Sequence, residues 1–139
     1  MTPAALLAFI TDIHSLGLET AQGLYLTNDK TSAFAKRFFE EAKREPTMTQ
    51  AVYYSATLTY LNAVKSAKTT DSNKVMAELH KAKIDDMFTP NGTIRPDGLM
   101  EYEMYIRQVK KPSESKYPWD YYRLVETMPG DQAFGKLSD

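Results

Sequence analysis

The sequence predicts an α/β fold, and three features carry that prediction. An apolar run from Ala4 to Thr11 and an alternating stretch from Met100 to Val109 have strand character. Between them lie segments in which apolar residues recur at helical spacing. Gly, Pro, Asn and Asp mark the joints. The order is strand, short helix, strand, three helices, then mostly strands, with neither an internal repeat nor a low-complexity tract.

Taken in order, Ala4 to Thr11 has the pattern of a strand covered on both faces. Gly17 and Gly23 bracket a short segment, Leu18 to Gln22, and Leu24 to Thr27 reads as a second strand. Asn28 or Asp29 can cap the next helix, where Phe34, Phe38, Phe39 and Ala42 face Lys36, Arg37, Glu40, Glu41 and Lys43 across the axis. Pro46 ends it. Thr47 can cap a longer helix through Ala67, with Val52, Ala56, Tyr60, Ala63 and Val64 on the expected buried side. Asp71 or Ser72 starts a third helix through Lys81, and Ile84 to Phe88 reads as extended. Residues 91–98, Asn-Gly-Thr-Ile-Arg-Pro-Asp-Gly, hold two turn dipeptides, so the chain should reverse twice around a very short strand at Ile94. After them Met100, Tyr102, Met104 and Ile106 alternate with Glu101, Glu103, Tyr105 and Arg107, giving one expected buried face and one wet face. Pro112 to Pro118 is a polar loop, Tyr121 to Met128 a further strand, and Pro129-Gly130-Asp131 begins the tail.

Composition limits the function classes. A chain of 139 residues, 42% hydrophobic and 25% charged, suits one domain with a single core. Seventeen basic against eighteen acidic residues give a net charge of -1, and the longest basic block is Lys110-Lys111, so nucleic acid is not an expected partner. The absence of cysteine removes disulfides, thiol catalysis and Cys-bound zinc. The apolar N-terminus has no basic leader region and carries Asp12, and no apolar run approaches the roughly 20 residues of a membrane span. Expressed as written, the chain is expected to stay in the cytoplasm without membrane insertion.

No residue set for catalysis stands out. His14 and His80 lack partners at metal-site spacing, so a metal site is not expected and both read as polar surface or loop residues. Asp85 and Asp86 would point to opposite faces of an extended segment and so could not share acid–base work. The nucleotide-binding glycine motifs and the G-x-S-x-G nucleophile motif are missing, and no cofactor is implied. The chain therefore reads as a non-enzyme. Asn91-Gly92-Thr93 matches a glycosylation sequon, which the turn explains in full. Arg95 could pair a ligand carboxylate or simply be solvated. Tyr53-Tyr54 and the group Tyr117, Trp119, Tyr121 and Tyr122 could line a small-ligand cleft or pack as ordinary core; the core reading is preferred.

Four blocks in order carry a resemblance: Leu18 to Thr27; Pro46 to Ala56 continuing through Ala63-Val64; Asp86 through Met100 with Met104 to Lys110; and Pro112-Ser-Glu-Ser-Lys-Tyr-Pro-Trp-Asp-Tyr-Tyr122. Together they resemble the C-terminal part of the branched-chain amino-acid type substrate-binding proteins of ABC transporters, which have the type I periplasmic-binding-protein fold. The resemblance covers nearly all of this chain and the last third to two-fifths of such a protein. It implies a partial fold, a three-layer α/β/α lobe remnant completed by dimerisation or strand exchange, with most of both lobes lying upstream of Met1. It implies three stretches: 1–27 as strand and crossover, 28–110 as helices and hairpin of one lobe, and 111–139 as the last crossover and strand.

On the resemblance, the ligand is an amino acid or a small, even aromatic, carboxylate, and the parent family works in the periplasm with an ABC permease as its partner. Thr11 and Asp12 fall where the family places an acidic residue that meets the ligand amine, and Tyr53 and Tyr54 lie in a block that approaches the cleft. Between Thr27 and Asn28 this branch usually carries several more, aromatic-rich residues, so one crossover is shortened here. Solute binding by one remnant alone is expected to be weak, because a clamp needs two opposed surfaces. The alternative is an interaction protein that self-associates, as a dimer, through exposed strand edges.

Overall fold

The computed structural model describes residues 3–28 and 33–136. Its strands form two sheets. The larger has β1 (Ala4–Ala5) parallel to β2 (Tyr25–Asn28), then β6 (Met104–Val109) and β7 (Tyr122–Met128), each antiparallel to its neighbour. The smaller is an antiparallel meander of β3 (Lys83–Ile84), β4 (Gly92–Ile94) and β5 (Met100–Glu101).

The first apolar run differs from its expectation. Only Ala4 and Ala5 pair, opposite Tyr25 and Leu26, while Leu6 and Leu7 stand 95% and 80% exposed, with Leu7 at φ +56°. From Ile10 the chain is helical, as α1 (Ile10–Leu16). Ile10 and Ile13, three apart, supply one inward stripe, and the Asp12 carboxylate accepts the Phe9 N–H at 2.8 Å, capping the first turn. A helix start thus sits inside a run that its hydrophobicity alone makes strand-like. The helix α2 (Leu18–Ala21) follows, and Ile13, Ala21, Leu26 and Val109 form a small core under the larger sheet.

Helix α3 (Ala33–Ala42) ends four residues before Pro46, and Lys43 directly after it takes φ +55°. Of its two expected caps, Asn28 ends β2 and Asp29 lies outside the described residues. Helix α4 (Met48–Ala67) starts at Thr47 as expected, with the Thr47 N–H donating to Gln50 Oε1 at 2.7 Å. Its buried face is shifted by one position. Ala51, Ser55, Thr59 and Ala63 face inward, whereas Val52 and Tyr60 are exposed and Ala56 is too. The small residues let α5 (Ser72–Leu79) pack closely on this side, and larger side chains would hold it away. The Asp71 carboxylate caps α5 through the Lys74 N–H at 3.1 Å.

Ile84 to Phe88 is extended only at its start. Beyond Ile84 the Asp86 carboxylate accepts the N–H groups of Phe88 and Thr89 at 2.8 and 2.7 Å and bends the chain. The expected double turn is present, with Asn91 at φ +54° and Gly98 at +84° around β4. Gly92 is fixed by space: a Cβ there would stand 2.5 Å from Thr89 Cγ2.

The stretch Met100 to Val109 is not one strand. β5 belongs to the small sheet and β6 to the large one, so the alternation breaks at Tyr102-Glu103. In β6 it is Tyr105 and Val109 that are buried, while Met104 and Ile106 are half-buried. A chain that changes sheets need not keep one inward phase. The tail begins at Pro129 as expected, but folds into a one-turn helix, α6 (Gly130–Ala133), placing Phe134 against Tyr102 with ring centroids 5.3 Å apart.

Candidate functional site

Helix α1 and the loop before β7 build the most chemically varied surface. The imidazole of His14 stacks on Trp119 with centroids 4.1 Å apart and planes 13° from parallel, and its Nδ1 lies 2.7 Å from the Tyr121 hydroxyl. Behind them Asp120 is buried, with Lys110 Nζ at 2.5 Å and the Lys116 N–H donating at 3.0 Å. Burial pushes the Asp120 carboxyl up, but the Lys110 hydrogen bond and the other donors and cations outweigh it, and the net direction is down. The loop is therefore pinned at both its ring face and its carboxylate.

Beside this loop lies an open recess of about 420 Å³. Tyr117, Trp119, Tyr121 and Tyr122 form its aromatic side, with Ile10 from α1 and Ala35 from α3. Lys36, Glu45, Arg107 and Asp120 supply charge. Burial pushes the Glu45 carboxyl up. The Tyr122 phenol is also pushed up, first by burial and then by the charge of Asp12, with Arg107 opposing. The guanidinium of Arg107 lies 5.8 Å over the Tyr105 ring.

Thr11 and Asp12 occupy the first turn of α1, directly after Ile10 of the recess. The Asp12 side chain is exposed and accepts the Phe9 N–H. On α4, Tyr53 is 71% exposed, whereas Tyr54 packs on Phe34 with centroids 5.0 Å apart. The four predicted residues thus sit on two helices, and only the Thr11–Asp12 pair adjoins the aromatic recess.

Three other sequence expectations are settled locally. His14 is a clasp between α1 and the distant loop, a role that spacing in the chain gives no sign of. Asp86 accepts the Ser55 hydroxyl at 2.6 Å as well as two backbone N–H groups, so it is a structural acceptor. Arg95 is neither solvated nor open to a ligand: its side chain is 12% exposed, pairs with Asp97 and with Glu101 at 3.3 Å, and donates to the Gly135 carbonyl at 2.5 Å. Among the described residues there is no group of three or more His, Asp or Glu placed to hold a metal, and no helix is long and apolar enough to cross a membrane.

Residues 1–116 match the family model described as Periplasmic binding protein. A periplasmic binding protein from Burkholderia mallei is 53% identical, with a TM-score of 0.89 over 95% of this chain and 37% of its own. A branched chain amino acid ABC transporter periplasmic ligand-binding protein from Burkholderia xenovorans is 39% identical, with a TM-score of 0.89 over 96% of this chain and 37% of its own. A leucine-, isoleucine-, valine-, threonine- and alanine-binding protein from Brucella ovis, in its closed conformation, is 16% identical with a TM-score of 0.72, a likeness of fold, over 90% of this chain and 35% of its own. No curated protein gives a significant match. The chain therefore spans little more than a third of the length of these solved relatives.

Proposed function

This chain belongs to the periplasmic binding protein family, and from that premise we propose that it is a solute-binding module for amino acids or small carboxylates, aromatic ones included. Its architecture is α/β and is part of the type I periplasmic-binding-protein fold. The observation that carries the reading is the match at 53% identity and TM-score 0.89 to a periplasmic binding protein. The Burkholderia xenovorans relative's description as a branched chain amino acid ligand-binding protein supports the solute class. On this reading the chain works in the periplasm with an ABC permease and catalyses no reaction.

Thr11 and Asp12 are the proposed polar contacts, with the exposed Asp12 carboxylate meeting a ligand ammonium, and Tyr53 and Tyr54 the proposed aromatic contacts. The proposed division is 1–27, 28–110 and 111–139. Because 37% of the length of a two-lobed relative cannot surround a ligand, affinity of this chain alone is expected to be weak. Calorimetric titration with leucine and with benzoate tests this. Heats that saturate at micromolar concentration with the monomer would overturn the weak-binding part.

A second reading has its own support. Leu6 and Leu7 are exposed at the end of an edge strand, and Val52, Tyr53, Tyr60 and Leu61 are exposed on α4. Apolar surface of this kind favours association, and a symmetric dimer would cover it. Light scattering that finds only monomer would remove this reading.

A further inference from the structure

We propose that the recess beside α1 is a binding site for a small organic ammonium ion, adjoining the Thr11–Asp12 contacts but not using them, with aromatic walls and the carboxylate of Glu45 recognising the cation. The walls come first. Trp119 and Tyr121 have centroids 5.8 Å apart with planes at 41°, so they form a corner, and Tyr117 and Tyr122 extend it. Ring faces carry negative potential and attract a cation within about 6 Å of a centroid. His14 and Asp120 hold this corner in place, through the stack on Trp119 and the bonds to Lys110 and Lys116.

Glu45 is half-buried in the recess and has neither a hydrogen bond nor an ion pair among the described residues. A carboxylate drawn out of water in this way gains most from a counter-charge. The Tyr122 hydroxyl is buried, likewise without a hydrogen-bond partner among the described residues, and can accept from an N–H or O–H. Asp120 is already committed to Lys110, and Arg107 is placed over Tyr105. Lys36 is exposed and also lines the recess, so the far end of the ligand should be neutral or anionic, which disfavours polyamines. The recess volume of about 420 Å³ accommodates an ion of this size.

Trp119 is the only tryptophan, so its emission reports directly on the site. Choline titrated into the full chain should change that emission saturably with a dissociation constant of roughly 1 mM. The neutral isostere 3,3-dimethyl-1-butanol should bind about tenfold more weakly. Glu45→Gln should weaken choline and narrow the difference between the two while far-UV circular dichroism stays unchanged, and Tyr122→Phe should weaken choline without unfolding the chain. Leucine should not displace choline, which keeps this site distinct from the solute contacts. Equal binding of the alcohol, an unaffected Glu45→Gln variant, displacement by leucine, or no saturable change up to about 100 mM choline would each overturn the proposal.

Discussion

The hydroxyl of Ser55, 1% exposed in the middle of α4, donates to the carboxylate of Asp86 at 2.6 Å. One side chain thereby ties the small-residue face of the long helix to the bend after β3, whose backbone the same carboxylate organises. Ser55→Ala should cost about 1–2 kcal/mol and Asp86→Ala about 2–3 kcal/mol, because the second leaves two backbone donors without their acceptor. Urea denaturation of both variants and of the double variant measures this. The double variant should lose less than the sum.

Gly92 has no room for a methyl group. Gly92→Ala should destabilise by about 1–3 kcal/mol, since its Cβ would meet Thr89 Cγ2 at 2.5 Å and Ile84 Cβ at 3.2 Å. Thr89→Ser removes the nearer of these atoms and should restore part of the loss in the Gly92→Ala background. Thermal melts of the four combinations are sufficient to see it.

The hairpin has an acid limit. The hydrogen bond from Arg95 is the largest of the effects that hold the Asp97 carboxyl down to about 2. A folded-state value below the unfolded one, about 3.9, gives stability that is present above about pH 4 and fades as pH falls towards 2. Amide exchange in β4 and β5 should therefore quicken over that interval in the wild-type chain. Arg95→Ala should remove most of this acid dependence, because the folded and unfolded values of Asp97 then come close together.

Arg95 also donates to the Gly135 carbonyl, so the same variant should release the tail. Faster exchange at Phe134, with α5 unaffected, is the expected pattern. Uniform loosening of the whole chain would argue against a local tie.

Self-association should depend on the exposed leucines. Replacing Leu6 and Leu7 together by Ser removes apolar surface that is 95% and 80% exposed, so it should leave melting nearly unchanged while shifting the light-scattering mass towards monomer. A mass that does not move would place any contact elsewhere.

Much of the fold was legible in the sequence where the signals are local. Thr47 and Asp71 start helices because a cap is decided within three residues, and the turns at Asn91 and Gly98 follow from their own backbone preferences. The buried face of α4 was not legible, because Ala51, Ser55, Thr59 and Ala63 look weakly hydrophobic and are chosen by how closely α5 approaches. The break between β5 and β6 leaves the apolar alternation intact in sequence and appears only when the two halves pair with different sheets. At the site, Thr11 and Asp12 were reached through family resemblance, whereas His14 could not be joined to Tyr121 by any local rule across 107 positions.

The passage from β5 to β6 has a mechanical consequence. The two sheets are articulated at Tyr102-Glu103, and the tail lies across that joint, with a Cβ at Gly130 standing only 3.0 Å from Tyr102 N and the Phe134 ring against Tyr102. The tail therefore acts as a splint. How stiffly one sheet follows the other is set at the far end of the chain, where a single added methyl at Gly130 would loosen the brace without touching either sheet.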